Sequence, residues 1–81
     1  MFEYTITHEA SCQCVTAKGR IDALSASELQ KVFQQLILEG ARVLLADLTG
    51  IHYISSAGLR VFITTQKELK KVGGEMLLAG L

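Results

Sequence analysis

Two adjacent hydroxyls, Ser55 and Ser56, sit where a strand-like apolar run gives way to a helical pattern. The run Val43-Leu44-Leu45-Ala46 ends at Asp47, and Leu48-Thr49-Gly50-Ile51-His52-Tyr53-Ile54 leads on to the serines. This order predicts the end of a buried strand, a short polar loop and the first turn of a helix. A helix start presents unpaired backbone N–H groups and the positive end of the helix dipole. A serine there can cap the helix, or it can carry a phosphoryl group whose charge the helix end favours.

Nucleophilic catalysis is a third chemistry open to such a serine, and the pattern argues against it. A hydrolase elbow has the form G-x-S-x-G, but Ile54 occupies the position two before Ser56. His52 and Asp47 lie nearby in the chain, yet a triad is defined by geometry and not by proximity in sequence. The chain carries no Walker loop and no G-x-G-x-x-G. No enzymatic activity and no cofactor is expected. Cys12 and Cys14, even with His8, lack a second Cys/His pair at ligand spacing, so no metal site is expected either. On one strand face the two thiols would stand about 7 Å apart, too far for an easy disulfide.

The elements that position the serines follow from periodicity. Phe2, Tyr4 and Ile6 alternate with Glu3, Thr5 and Thr7, which predicts a strand with one wet face. Ser11 to Lys18 reads as a second strand paired to the first through a turn near Glu9 and Ala10. Gly19-Arg20-Ile21-Asp22 leads out of it. Ser25 and Glu28 form an S-x-x-E capping box, with Leu24 and Leu29 at hydrophobic-staple spacing. Leu29, Val32, Phe33, Leu36 and Ile37 then trace one buried helical stripe, and Gly40 stops the helix. The apolar run at 43–46 suits a strand covered on both faces. A second helix is expected from about Ser56 to Val72, with Leu59, Phe62, Ile63 and Leu69 on its inner face. Gly73-Gly74 ends it, and Met76-Leu77-Leu78-Ala79 reads as a last buried strand. The order is β-β-α-β-α-β, an α/β domain with an opening hairpin followed by β-α-β crossovers.

Bulk properties narrow the function class. Eighty-one residues fit one domain, 1–81, which buries roughly 60–65% of its unfolded surface. Eight basic residues offset eight acidic ones, and Lys67, Lys70 and Lys71 are interrupted by Glu68, so no basic stripe for nucleic acid is present. The start lacks the basic and apolar regions of a signal peptide, and no apolar run approaches the roughly 20 residues of a membrane helix. A cytoplasmic protein without membrane insertion is expected.

Asp47-Leu48-Thr49 followed by Tyr53-Ile54-Ser55-Ser56-Ala57-Gly58-Leu59 resembles the signature of the STAS domain family, the anti-sigma-factor antagonists and their relatives in bacterial signalling. Gly19-Arg20-Ile21-Asp22 resembles the family's G-x-[LI]-D before its first helix, and the resemblance spans the whole chain. It implies a small mixed β-sheet covered by helices, with the C-terminal part of the family fold (a further helix, strand and helix) missing. It also implies that a partner kinase, itself the anti-sigma factor, phosphorylates a serine at the start of the second helix. Matched residue by residue, that serine is Ser56. The family often carries Asp-Ser-Ser-Gly there. Here Ser55 replaces the Asp and Ala57 the second serine, which leaves Ser55 as a rival acceptor. Thr49 and Gly58 belong to the same signature. Asp22 and Asp47 are expected either to cap turns or to support the phosphosite loop.

The function implied is an anti-sigma-factor antagonist that sequesters a serine kinase, is switched off by phosphorylation, and has a PP2C-type phosphatase as a second partner. A transporter accessory module, docking on an ABC ATPase or regulating an anion transporter, is the alternative. On a helical wheel Ala57, Arg60, Val61 and Thr64 point away from the expected inner face and form the expected partner surface. Bare apolar surface on the last strand predicts self-association.

Overall fold

A computed structural model describes residues 1–80 of the chain. Leu81, the last residue of the expected domain, lies outside the described residues. The elements are β1 (Phe2–His8), β2 (Gln13–Ile21), α1 (Ala23–Leu38), β3 (Val43–Ile54), α2 (Ser56–Lys71) and β4 (Glu75–Ala79). They form a four-stranded sheet in the order β1-β2-β3-β4. The β1–β2 pair is antiparallel, and the β2–β3 and β3–β4 pairs are parallel. The β-β-α-β-α-β order read from periodicity is therefore the observed one.

Burial alternates along the strands, which fixes where the helices lie. Val15 and Ala17 of β2 are buried, as are Leu44, Ala46 and Leu48 of β3, while their strand neighbours are less so. Leu29, Phe33 and Leu36 of α1 and Val61, Phe62 and Leu69 of α2 join the same apolar cluster. The rings of Phe33 and Phe62 meet at 6.0 Å. Both helices thus cover one sheet face, and among the described residues no helix meets the second face of β3, which its apolar run suggested would also be covered. The run is apolar on both sides, but only alternate residues meet helices.

Both helices end on the same device. Gly40 and Gly73 take positive φ, and the N–H groups of Gly40 and Ala41 donate to the carbonyls of Ile37 and Leu36. Gly73 and Gly74 repeat this with Lys70 and Leu69. This paired bonding closes the last carbonyls of a helix and turns the chain back to the sheet.

Four local expectations are corrected. The α1 cap is Asp22, not Ser25: the Asp22 carboxylate accepts from the Ser25 N–H, and Ser25 closes the box from the third helical position. Leu24 is 84% exposed, so the staple with Leu29 does not form. The second strand runs on to Ile21, and residues 49–54 are strand rather than loop. Lys18 pairs with Gly50, Gly19 with Ile51, Arg20 with Tyr53 and Ile21 with Ile54. Two register shifts let β3 carry extra residues past β2, which is how a polar stretch stays in the ladder.

Candidate functional site

The two helix starts lie side by side. The Ser55 N–H donates to the Ile21 carbonyl at 2.8 Å, so the residue before the α1 cap holds the α2 cap. Ser55 is extended (φ −78°, ψ 169°), and its hydroxyl accepts from the Gly58 N–H at 3.2 Å. It is the N-cap, as its residue type and position favour. Ser56 is the first helical residue and is exposed. No acidic residue lies in the first turn of α2, so its dipole end is uncompensated by charge.

Gly58 sets the approach of α2 to the sheet. A Cβ there would lie 2.7 Å from Ile21 Cγ2 and 3.0 Å from Ile54 Cγ2. Only a bare Cα lets the helix start sit this close to the ends of β2 and β3. That contact also fixes the rotation of the helix. The buried stripe is Gly58, Val61, Phe62, Thr65 and Leu69: Phe62 and Leu69 lie inside as expected, while Gly58, Val61 and Thr65 stand where Leu59 and Ile63 were expected.

The expected partner surface changes accordingly. Val61 is 6% exposed and packs in the core, so it is not a surface residue. Ala57, Arg60, Val61 and Thr64 do share a side of α2, but it faces a groove against Ala23, Ala26, Ser27 and Gln30 of α1. Leu59 and Ile63, expected inside, are 52% and 55% exposed. At about 100° per residue they flank Ser56 on the outer face, with Arg60 on its other side. Sequence reasoning missed this pair because both are apolar letters at helical spacing. The close approach at Gly58 was the signal that could have corrected the phase.

Asp22 and Asp47 separate in role. The Asp22 carboxylate accepts from the Ser25 N–H at 3.0 Å and lies 2.9 Å from the Ser25 hydroxyl. These bonds, the backbone one foremost, hold its pKa below the ordinary value. It belongs to the paired helix starts. The Asp47 carboxylate accepts from the Thr49 hydroxyl at 2.7 Å and the Thr49 N–H at 3.1 Å, which lower its pKa in that order. Asp47 sits opposite Thr16, five positions of β2 before Ile21, which is about 17 Å at 3.3 Å per residue. Asp47 and Thr49 therefore shape the middle of β3 and do not line the Ser56 helix start. The intervening residues are extended strand, not a loop that folds back.

A further basic group stands at this end of the sheet. The Arg20 guanidinium lies 4.2 Å over the Tyr53 ring, one ladder position before the Ile21–Ile54 pair. Such stacking holds a cation in place while leaving its edge open to other partners. His52 is exposed on β3, and the Asp47 carboxylate is occupied by Thr49, so the two form no relay with Ser56. Cys12 and Cys14 are free thiols. Among the described residues no helix is long and apolar enough to cross a membrane.

Comparison with known proteins bears directly on this arrangement. The Listeria monocytogenes anti-sigma-B factor antagonist is 35% identical over 63 residues, covering 78% of this chain and 55% of the relative. The corresponding Staphylococcus aureus protein is 28% identical over 67 residues, covering 83% and 62%. The chain thus spans little more than half the length of these relatives. Among solved structures, an anti-sigma factor antagonist from Mycobacterium paratuberculosis superposes with a TM-score of 0.86 at 19% identity, covering 96% of this chain and 66% of that one. Unphosphorylated SpoIIAA gives 0.83 at 14% identity, covering 94% and 71%. These two likenesses establish the fold. The description "STAS domain" matches residues 3–81, nearly the whole sequence. The chain belongs to the STAS domain family.

Proposed function

We propose that this domain is an anti-sigma-factor antagonist that binds an anti-sigma serine kinase and is switched off by phosphorylation of Ser56. The observation that carries this reading is the exposed Ser56 hydroxyl on an uncharged helix start, flanked by the exposed apolar side chains of Leu59 and Ile63. Ser55 is the poorer acceptor, because its hydroxyl is engaged with the Gly58 N–H as the cap.

The switch follows from charge and burial. Unmodified, the face around Ser56 is apolar and neutral apart from Arg60, and a partner can cover it at little desolvation cost. Phosphorylation adds about −1.5 to −2 charge. The domain itself tolerates this: the α2 dipole favours an anion, and Arg60 lies one turn on, within side-chain reach. The interface does not, since it would have to bury a hydrated dianion against Leu59, Ile63 and the partner. Phosphorylation therefore blocks docking without refolding the domain. SpoIIAA, which shares this fold, is also solved in a phosphorylated form, with a TM-score of 0.79 to this chain. In this reading a PP2C-type phosphatase restores the neutral surface. Asp22 supports the site by fixing the α1 start beside the α2 cap, and no residue has a catalytic role.

The test is incubation with the kinase encoded nearest this gene and ATP, followed by peptide mass spectrometry. Phosphate on Ser56, absent from Ser56→Ala, is expected. Phosphate on neither serine would overturn the reading and favour a transporter accessory module. Undiminished kinase capture by the phosphorylated protein would overturn the block.

A further inference from the structure

Arg20 is an exposed cation that the structure holds at both its backbone and its side chain. Its N–H donates to the Met1 carbonyl at 3.0 Å, and its carbonyl accepts from the Ser25 hydroxyl at 2.9 Å. Its guanidinium lies 4.2 Å over the Tyr53 ring. A ring face attracts a cation through its π-electrons and takes up none of the five N–H donors at the edge of the guanidinium plane.

Strand alternation sets the direction of this pair. Ile21 and Ile54, the next pair in the ladder, lie in or against the core beneath the helices. Arg20 and Tyr53 therefore face the other side of the sheet. The carboxylates of the region are placed elsewhere. Asp22 is bonded to Ser25, Asp47 to Thr49, and Glu28 belongs to α1 on the helix side. Glu3 shares the Arg20 face but stands opposite Lys18 on β1, whereas the guanidinium leans over β3.

Arg20 is also close to Ser56. The Ser55 N–H donates to the Ile21 carbonyl, so Arg20 and Ser56 are each one residue from a bonded pair. At about 3.8 Å per residue, their Cα atoms stand at most about 15 Å apart. A standard interface covers about 800 Å² on each partner, a disc about 30 Å across. A partner centred on Ser56 thus reaches the end of the sheet where Arg20 stands.

We infer that Arg20 selects the partner: the anti-sigma kinase that covers Ser56 sets a surface carboxylate against the open edge of the Arg20 guanidinium, with Tyr53 as the platform that holds the cation ready. This rests on the docking role proposed for Ser56 and adds the chemistry of the partner surface. A carboxylate matches the guanidinium fork with two parallel N–H···O bonds. The stack has already ordered the side chain, so pairing loses less rotamer freedom than it would for a loose surface cation. A charge at the rim of an interface acts mainly on the encounter and its salt dependence.

The test follows association of the unmodified chain with the kinase encoded nearest this gene, by stopped flow at about 50 mM and about 500 mM salt. Arg20→Glu should lower the association rate constant about tenfold or more at low salt, and the loss should shrink at high salt. Arg20→Gln, neutral and of similar length, should fall between. Lys67→Glu makes the same change of charge on the exposed far half of α2 and should alter the rate less than about twofold. Tyr53→Phe keeps the ring and should match wild type. Tyr53→Ala keeps the cation but frees it, and should weaken binding about two- to fivefold. Melting curves confirm that each variant is folded, and peptide mass spectrometry follows phosphate on Ser56. Equal losses for Arg20→Glu and Lys67→Glu would assign the effect to net charge and overturn the inference. So would faster association of Arg20→Glu, the mark of a basic partner surface. A kinase that phosphorylates Ser56 yet binds Arg20→Glu at the wild-type rate overturns this inference alone and leaves the switch standing. A wild-type chain that is neither bound nor phosphorylated overturns the switch, and the inference with it.

Discussion

The two helix starts of this domain touch, yet they are built in opposite ways. α1 begins on Asp22, whose carboxylate and the Ser25 hydroxyl hold each other and the backbone in a reciprocal box. Its dipole end is already met by a full negative charge. α2 begins on Ser55, a neutral cap with one hydrogen bond to the Gly58 N–H, and its first turn carries no acid. Ser25, at the third position of α1, is buried and held by its bonds; Ser56, at the first position of α2, is exposed. One start is closed for structure, and the other leaves the helix end open to an added charge. The contrast is why the proposed switch is placed at Ser56 and not at Ser25.

The most disruptive way to break this contrast is at Gly58. Gly58→Val would drive a side chain into Ile21 and Ile54, and overpacking of this kind costs about 1–3 kcal/mol. The α2 start should lift from the sheet, with a fall in Tm of roughly 4–8 °C per kcal/mol. Val at Ala23, the exposed first residue of α1, should cost no more than about 0.5 kcal/mol. Equal melting of the two variants would show that the close approach of α2 does not matter.

A gentler break exchanges the caps. Ser55→Ala removes the bond to Gly58 and should cost about 1 kcal/mol by chemical denaturation. Ser55→Asp gives α2 the charge that α1 already has and should stabilise by about 0.3–1 kcal/mol. That gain should shrink in high salt, whereas a gain from packing would persist.

The sequence displayed the first helix better than the second, for a physical reason. The core face of α1 is built from large apolar residues, so Leu29, Phe33 and Leu36 announce its phase directly. The core face of α2 runs through Gly58 and Thr65, and Leu59 and Ile63 sit outside it. Periodicity follows hydrophobic letters, but the helix rotates to satisfy a glycine contact with two strand ends. Ser25 and Asp22 are both capping types. Only the run of β2 to Ile21 settles that the helix must begin at Asp22. The stretch 49–54 read as a loop because its polarity hides a bulged ladder. Ser55 as cap and Ser56 as exposed neighbour were legible, since both follow from position at the helix start alone.

Acid should distinguish the two starts more finely. The folded state lowers the pKa of Asp22 through its bonds to Ser25. A carboxyl depressed on folding stabilises the protein above its unfolded pKa, near 3.9, and loses that contribution as pH falls through the lower folded value. Asn caps a helix about as well as Asp but does not titrate. The Tm difference between wild type and Asp22→Asn should thus favour wild type at pH 7 and vanish as pH falls through the lowered folded value of Asp22. The α2 cap, being a serine, adds no such dependence, while Asp47 contributes equally to both proteins. A pH-independent difference would mean that the charge of Asp22 is immaterial to α1.

The smallest effect belongs to Arg60, and it asks whether the open start has its own counterion. In the unmodified protein Arg60 is exposed. Removing it should change stability by less than about 0.5 kcal/mol. Once Ser56 carries phosphate, Arg60 lies one turn away on the same face, where i, i+4 pairs of opposite charge interact. Arg60→Ala should then lower the Tm of the phosphorylated protein more than that of the unmodified one, by the equivalent of about 0.2–0.5 kcal/mol, and salt should erase the difference. Identical effects on the two forms would assign charge tolerance at Ser56 to the helix dipole alone. The α2 start would then be open by backbone geometry, without a side chain reserved to meet the phosphate.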